Sequence, residues 1–400
     1  MTFAFVLGCG SSAESGDTGG AGTGGAGGDV NGSQWFAVTT QIAGDAPVTL
    51  VGLVNSLGED VTLDPATAIE AGQRGFGFGP EGEGTLFVLD GESAQITRFD
   101  IDPLGVPRQG EILSAQNLLQ TARGATAGNF AFIDSNKAYA IDPLNQQIII
   151  WDPEAMVLIE VVDVSDAMAL PEFAPVLGYN TQRRGNELVI VMGYRRLTTI
   201  DYATESRIIF FDTDTDAVID TTVVEDCALL QHTFETEDGD IYAASDVFTA
   251  IARLTGTAGG PECFVRVPAG AYSTDSYTLF SSRTTSAAAG SILQQSGTRA
   301  YIRVLDEALV PEGMLTSGEL NGTPAWRWGL LDLATSDQAT VLTDREPQAA
   351  VAQPFIIGGA FYSNEFDDFD RSRVVSLSGA DGPTPGVNSV GIIRNVFRVR

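Results

Sequence analysis

Residues 137–152, KAYAIDPLNQQIIIWD, hold two short apolar runs, Lys137–Asp142 (KAYAID) and Ile148–Asp152 (IIIWD), on either side of a polar gap. Both runs end on Asp, and neither is long enough to show a helical period. Their aromatic and β-branched content marks two strands joined by a turn. The same unit recurs along the chain. Thr85–Asp90 (TLFVLD) precedes Ile96–Asp100 (ITRFD), Leu188–Met192 (LVIVM) precedes Arg207–Asp212 (RIIFFD), and Asp240–Ala244 (DIYAA) precedes Cys263–Val267 (CFVRV). Arg299–Val304 (RAYIRV) likewise precedes Trp328–Asp332 (WGLLD). Weaker copies lie at Gly359–Ser363 with Arg373–Leu377, and at Trp35–Thr39 with Val48–Val54.

Taking Phe36, Phe87, Tyr139, Ile190, Tyr242, Tyr301 and Tyr362 as equivalent positions gives intervals of 51, 52, 51, 52, 59 and 61 residues. Units of this length with about four strands each are the signature of propeller blades lengthened by loop insertions. The expectation is an all-β, seven-bladed β-propeller over residues 34–400. The alternating strand at Ile392–Val399 is expected to pair with the Trp35–Thr39 region, so that the N- and C-terminal strands close one blade. A pair of β-sandwiches is the competing architecture, and the absence of a linker or composition shift after residue 34 disfavours it.

The chain has 400 residues, 44% of them hydrophobic, which suffices for a large core. It carries 52 acidic and 22 basic residues, a net charge of −30. Such a surface repels nucleic-acid phosphate and anionic lipid, so nucleic acid is excluded as a partner. No apolar run is long enough to span a bilayer as a helix.

Val6, Leu7, Gly8 and Cys9 match a bacterial lipobox, with Cys9 as the lipidated residue, although only a short apolar stretch and no basic residue precede it. Residues 1–9 thus read as a lipoprotein signal remnant and residues 10–33, rich in Gly and Ser, as a disordered tether. A Gly/Ser-rich segment directly after a lipobox resembles those of outer-membrane lipoproteins of Gram-negative bacteria, and that resemblance implies an outer-membrane location, through the lipid anchor, facing the periplasm or the cell surface. The other two cysteines, Cys227 and Cys263, are expected to form a disulfide in an oxidising compartment, the alternative being two separate buried thiols.

Catalytic motifs are scarce. His232 is the one histidine and lies among Leu229, Leu230 and Phe234, where a packed side chain is the default reading. Lys137 is the one lysine and lies in a strand. A Ser-His-Asp triad, a zinc hydrolase site and Walker-type chemistry each lack a required residue or spacing, so the protein is expected not to be an enzyme.

Asp212, Asp214 and Asp216 open like a calcium loop, but Ala217 and Val223 stand where that loop needs Gly and a bidentate Glu. A hairpin turn is the simpler reading. Asp367, Asp368 and Asp370, with Asn364 and Glu365, form a second acidic segment. Calcium is the one cofactor these spacings admit. Arg183, Arg184, Arg195 and Arg196 bracket a strand and offer a fork for a carboxylate or phenolate ligand, or neutralise nearby carboxylates. Trp326 and Trp328 share one face of a strand, for core packing or for stacking at a channel mouth.

The string CFVRVPAGAYSTDSYTL at Cys263–Leu279 resembles a segment of propeller lipoproteins associated with iron and siderophore uptake loci, including examples in myxobacteria. The resemblance implies a cell-surface accessory to ferric-siderophore acquisition and carries over no catalytic residue. The expected function is a non-enzymatic, monomeric lipoprotein whose propeller binds a small molecule or an envelope protein. An extracellular scaffold or adhesion propeller and a calcium-dependent, lactonase-like hydrolase are the alternatives.

Overall fold

The computed structural model describes residues 34–400 apart from residues 45–46, 117, 121–124, 197–200, 258, 314–315, 369 and 380–381, and the side chains of residues 367–368. The lipobox at Cys9 and the tether at residues 10–33 lie outside the described residues.

Seven antiparallel sheets form a β-propeller. From the axis outward, blade one is Ile392–Arg398, Phe36–Ile42, Val48–Val54 and Ile69–Glu70. Blade two is Phe76–Phe78, Thr85–Leu89, Gln95–Ile101 and Pro107–Ser114. Blade three is Phe130–Asp134, Lys137–Asp142, Gln147–Asp152 and Val157–Asp163. In blade four the inner edge is split, Ala174–Leu177 and Gln182–Arg184 both pairing with Glu187–Arg195, followed by Ser206–Asp212 and Ala217–Val224. Blade five is Leu230–Glu235, Ile241–Ser245, Cys263–Val267 and Ser276–Leu279. Blade six is Ala289–Ser296, Arg299–Leu305, Trp326–Asp332 and Thr340–Val341. Blade seven is Pro354–Ile357, Ala360–Asp368, Arg371–Ser376 and Thr384–Val390.

The strands visible in the sequence are the second and third of each blade because both of their faces are buried. Ala138 and Ala140 pack against blade two, whereas Tyr139 and Ile141 pack against blade four. A strand buried on both faces needs an unbroken apolar run. Every pair of neighbouring blades encloses such a cluster, including blades seven and one and blades one and two.

The recurring terminal Asp has a local cause. Asp90, Asp142, Asp152 and Asp212 each accept backbone N–H groups two and three residues ahead. Four residues after each, Ala94, Gln146, Met156 and Asp216 take φ of 51°, 55°, 54° and 54°. The Asp thus specifies the turn that follows its strand, between the second and third strands at Asp90 and Asp142 and between the third and fourth at Asp152 and Asp212.

The seven positions taken as equivalent lie on the second strands, with one correction. Phe87, Tyr139, Tyr242 and Tyr301 face the following blade, whereas Phe36 and Ile190 face the preceding one. Their true counterparts are the neighbours Ala37 and Val189. A shift of one residue reverses the face of a strand, and the near-constant interval conceals it.

Ring closure is made by the chain ends. Phe36–Ile42 pairs with Ile392–Arg398, with Val38 opposite Val396. The Trp35 amide then donates to the Arg400 carbonyl at 3.0 Å and Arg400 returns the bond at 3.1 Å. Among the described residues no helix is long and apolar enough to cross a membrane.

Truncation after Gly391 is expected to abolish the cooperative unfolding transition, because it removes the innermost strand of blade one and uncovers two apolar interfaces. Circular dichroism against urea checks this; a truncated chain that unfolds at the full-length midpoint would contradict the closure.

Candidate functional site

The inner strands surround an axial channel, and β-bulges shape its polar part. Arg394 is the extra residue where pairing with Thr39 and Thr40 shifts register. Gln231 and Ser291 occupy the corresponding bulges of blades five and six. A bulge re-aims the inserted side chain and breaks the ladder locally.

Downstream along the inner strands, toward the hairpins that lead to the second strands, lies a cavity of about 200 Å³. Its wall is aromatic: Phe78, Phe130, Phe132, Phe355 and Phe397. The Phe78 and Phe130 rings stack with centroids 3.6 Å apart. Phe132 meets the Trp151 edge at 6.1 Å, which ties the wall to the core of blades two and three. The polar lining comes from Asn180, Thr181, Gln182 and Asn395. Three of these are spent on backbone carbonyls: Thr181 on Gly128, Gln182 on Thr233 and Asn395 on Gly77. The Asn180 side-chain N–H₂ is buried and has no partner among the described residues. An aromatic cavity of this size holds one substituted ring, since about 150 Å³ accommodates benzene.

One residue before Asn180, Thr233 and Asn395 in the chain stand Tyr179, His232 and Arg394, grouped as a polar collar. His232 Nε2 lies 2.9 Å from Asp246 Oδ2, both side chains being fully buried. The Tyr179 ring meets the His232 ring edge-on at 4.9 Å. Asp246 also caps the helix Val247–Leu254, accepting the Phe248 amide at 2.8 Å. Burial, with Asp246 adding to it, raises the Tyr179 hydroxyl well above its ordinary pKa, against the pull of Arg394. Tyr202 is pushed up to about 12 by burial and Asp246, with Arg195 opposing. Both phenols are neutral donors at physiological pH.

Arg394 is half-buried. Its Nη1 donates to Gln41 Oε1 at 3.2 Å, and its Nε has no partner among the described residues. Burial lowers its pKa, Tyr179 offsets this and Arg74 adds to it. A guanidinium and a neutral phenol beside an aromatic chamber suit a flat ring bearing an anionic oxygen.

The structure does not assemble the four arginines of the sequence reading into one fork. Arg183 and Arg184 sit at the hairpin end of Glu187–Arg195, and Arg195 and Arg196 at and beyond its far end. Arg183 donates to the Gly185 and Ile133 carbonyls. Arg184 pairs with Glu187 at 2.7 Å and lies over Phe210 and Tyr272. Arg196 pairs with Glu172 over the Phe173 ring. Arg195 alone among the four bears on the collar, through Tyr202.

Trp326 and Trp328 are fully buried, which corrects the stacking-surface reading. The indole of Trp326 donates to the Leu320 carbonyl and that of Trp328 to Glu365.

The Asp212–Asp216 segment is the hairpin turn. Asp212 accepts the Asp214 and Thr215 amides, Asp214 accepts from Asn186, and Asp216 binds Tyr139 and Lys137. Its three carboxylates therefore serve separate partners. The side chains of Asp367 and Asp368 lie outside the described residues, and Asp370 accepts the Gly391 amide through its carbonyl. Among the described residues no three His, Cys, Asp or Glu side chains gather as a metal site. Cys227 and Cys263 form a disulfide with Cα atoms 5.4 Å apart.

Sequence reasoning missed the cavity because its residues lie on short, interrupted inner strands. The usable signal was the Phe-x-Phe spacing at Phe76/Phe78 and Phe130/Phe132, directly ahead of recurring strands.

No protein-family model matches the chain, and no curated protein matches it. Solved structures share the propeller fold. The "putative 6-phosphogluconolactonase" of Bacteroides fragilis NCTC 9343 is 13% identical with a TM-score of 0.56, covering 92% of this chain and 99% of that one. A protein from Lactobacillus plantarum is 11% identical with a TM-score of 0.53, over 92% and 99% of the two chains. A "putative 6-phosphogluconolactonase" of Bacteroides uniformis ATCC 8492 is 10% identical with a TM-score of 0.51, over 91% and 99%. At these identities the likeness is one of fold.

Replacing Asp246 with Ala is expected to cost about 2–4 kcal/mol, because it removes a helix cap and strands a buried imidazole. Urea unfolding measures this, and an unchanged midpoint would contradict the role given to Asp246.

Proposed function

We propose that this protein is a binding propeller that seats a flat aryl group bearing an anionic oxygen in its axial channel. The observation that carries the reading is the aromatic chamber of Phe78, Phe130, Phe132, Phe355 and Phe397 below the collar of Arg394 and Tyr179. Stacking on the rings supplies affinity, and the free Arg394 N–H and the Asn180 amide supply orientation.

The narrower reading is a lipoprotein anchored through Cys9 that assists ferric-siderophore uptake. Catecholate siderophores present flat rings with anionic oxygens, which is the chemistry this channel favours. The segment Cys263–Leu279 that resembles the siderophore-associated lipoproteins forms the third and fourth strands of blade five, away from the axis. It supports the reading as architecture and contributes no residue to the chamber. Support for a non-catalytic role comes from His232, which is fully buried and whose Nδ1 has no hydrogen-bond partner among the described residues.

Isothermal titration of the full chain tests this with 2,3-dihydroxybenzoate, a ferric catecholate and a ferric hydroxamate. Saturable binding of the two catechol ligands is expected, weakened about tenfold or more by Arg394→Met and by Phe355→Ala. No heat with either catechol ligand would overturn the proposal. Calcium-dependent hydrolysis of a lactone by the same preparation would replace it with the enzyme reading.

A further inference from the structure

Arg303 lies in the second strand of blade six and faces blade seven, on the same face as Tyr301. The side chains facing the next blade at this level are Leu89, Ile141, Val191 and Ala244 in blades two to five, all in apolar clusters. Thr39 and Asn364 stand there in blades one and seven. Each satisfies its polar group on the inner strand of the following blade, at the Gly77 and Ile393 carbonyls. Arg303 follows neither pattern. It is fully buried, and none of its three nitrogens has a hydrogen-bond partner among the described residues.

The surroundings sharpen the requirement. The guanidinium stacks on Trp328 with its carbon 3.7 Å from the ring centroid, leaving the N–H edge directed away from the indole face. Glu365 is the nearby carboxylate, but its oxygens are taken by the Trp328 indole and by Arg373, the latter at 2.9 Å. Two guanidinium groups thus share one carboxylate inside an interface. Burial lowers the Arg303 pKa to about 10, so the group remains charged at neutral pH. A buried, charged guanidinium that shares its one counter-charge and has no hydrogen-bond acceptor is costly.

We propose that Arg303 holds a small monovalent anion, of the chloride or nitrate kind, between blades six and seven. The anion accepts the free N–H groups and balances the excess positive charge of Arg303, Arg373 and Glu365. It thereby acts as a staple across one inter-blade interface, separate from the axial chamber.

Thermal unfolding of the full chain tests this at constant ionic strength, with chloride or nitrate exchanged for the bulky methanesulfonate. A saturable rise of roughly 2 °C or more in Tm is expected with the small anions. Arg303→Met should fold and lose that dependence. Should this variant fail to fold, iodide titration of the wild type followed by Trp fluorescence gives a second readout. Saturable quenching is expected there and should be much reduced in Trp328→Phe, which keeps the guanidinium. A Tm indifferent to anion identity together with purely collisional quenching would overturn the proposal and leave water as the acceptor. A dependence unchanged in Arg303→Met would overturn it equally.

Discussion

The pairing of Ile392–Arg398 with Phe36–Ile42 is the constraint on which the molecule depends. Each blade has two apolar faces and can bury them only between two neighbours, so an open ring would expose a face at each end. The register of this one pair therefore holds seven interfaces in place, and it does so with residues more than three hundred positions apart in the chain. The same strand carries Arg394, so the segment that closes the ring also furnishes the channel's guanidinium.

Closure also explains where chemistry is allowed. The second and third strands are locked between blades and are mainly apolar, and charged groups on them such as Arg266 and Arg373 keep part of their surface exposed and pair within their own blade. The inner strands border the axis, and bulges at Arg394, Gln231 and Ser291 interrupt their ladders. Polar and aromatic side chains meet there without disturbing the sheets behind them. Arg303 is the exception, a charge placed where the architecture otherwise asks for an apolar or self-satisfied side chain.

Legibility in the sequence followed burial. Ile148–Asp152 and Leu188–Met192 announce themselves because both faces of the strand are covered, and the terminal Asp marks the turn that follows. Ile392–Val399 was recognisable as the closing strand by its alternation. Inner strands such as Phe76–Phe78 and Pro354–Ile357 are too short to show a period, and blade four splits its inner edge in two. The axial residues Tyr179 and Asn180 were hidden for that reason, whereas Arg394 lies in the recognised closing strand, at a bulge that alternation does not reveal. Charge density drew attention instead to Arg183, Arg184 and Arg196, whose partners are local carboxylates and carbonyls, and the indoles of Trp326 and Trp328 proved to be core.

The central claim is that the axis, not the loops or outer strands, is the ligand seat. Hydrogen–deuterium exchange of the full chain with and without 2,3-dihydroxybenzoate tests it most directly. A ligand seated on the axis adds protection in Phe76–Phe78, Phe130–Asp134, Pro354–Ile357 and Ile392–Arg398, the strands that wall the chamber. Protection confined to outer strands such as Val157–Asp163 or Ala217–Val224 would contradict it.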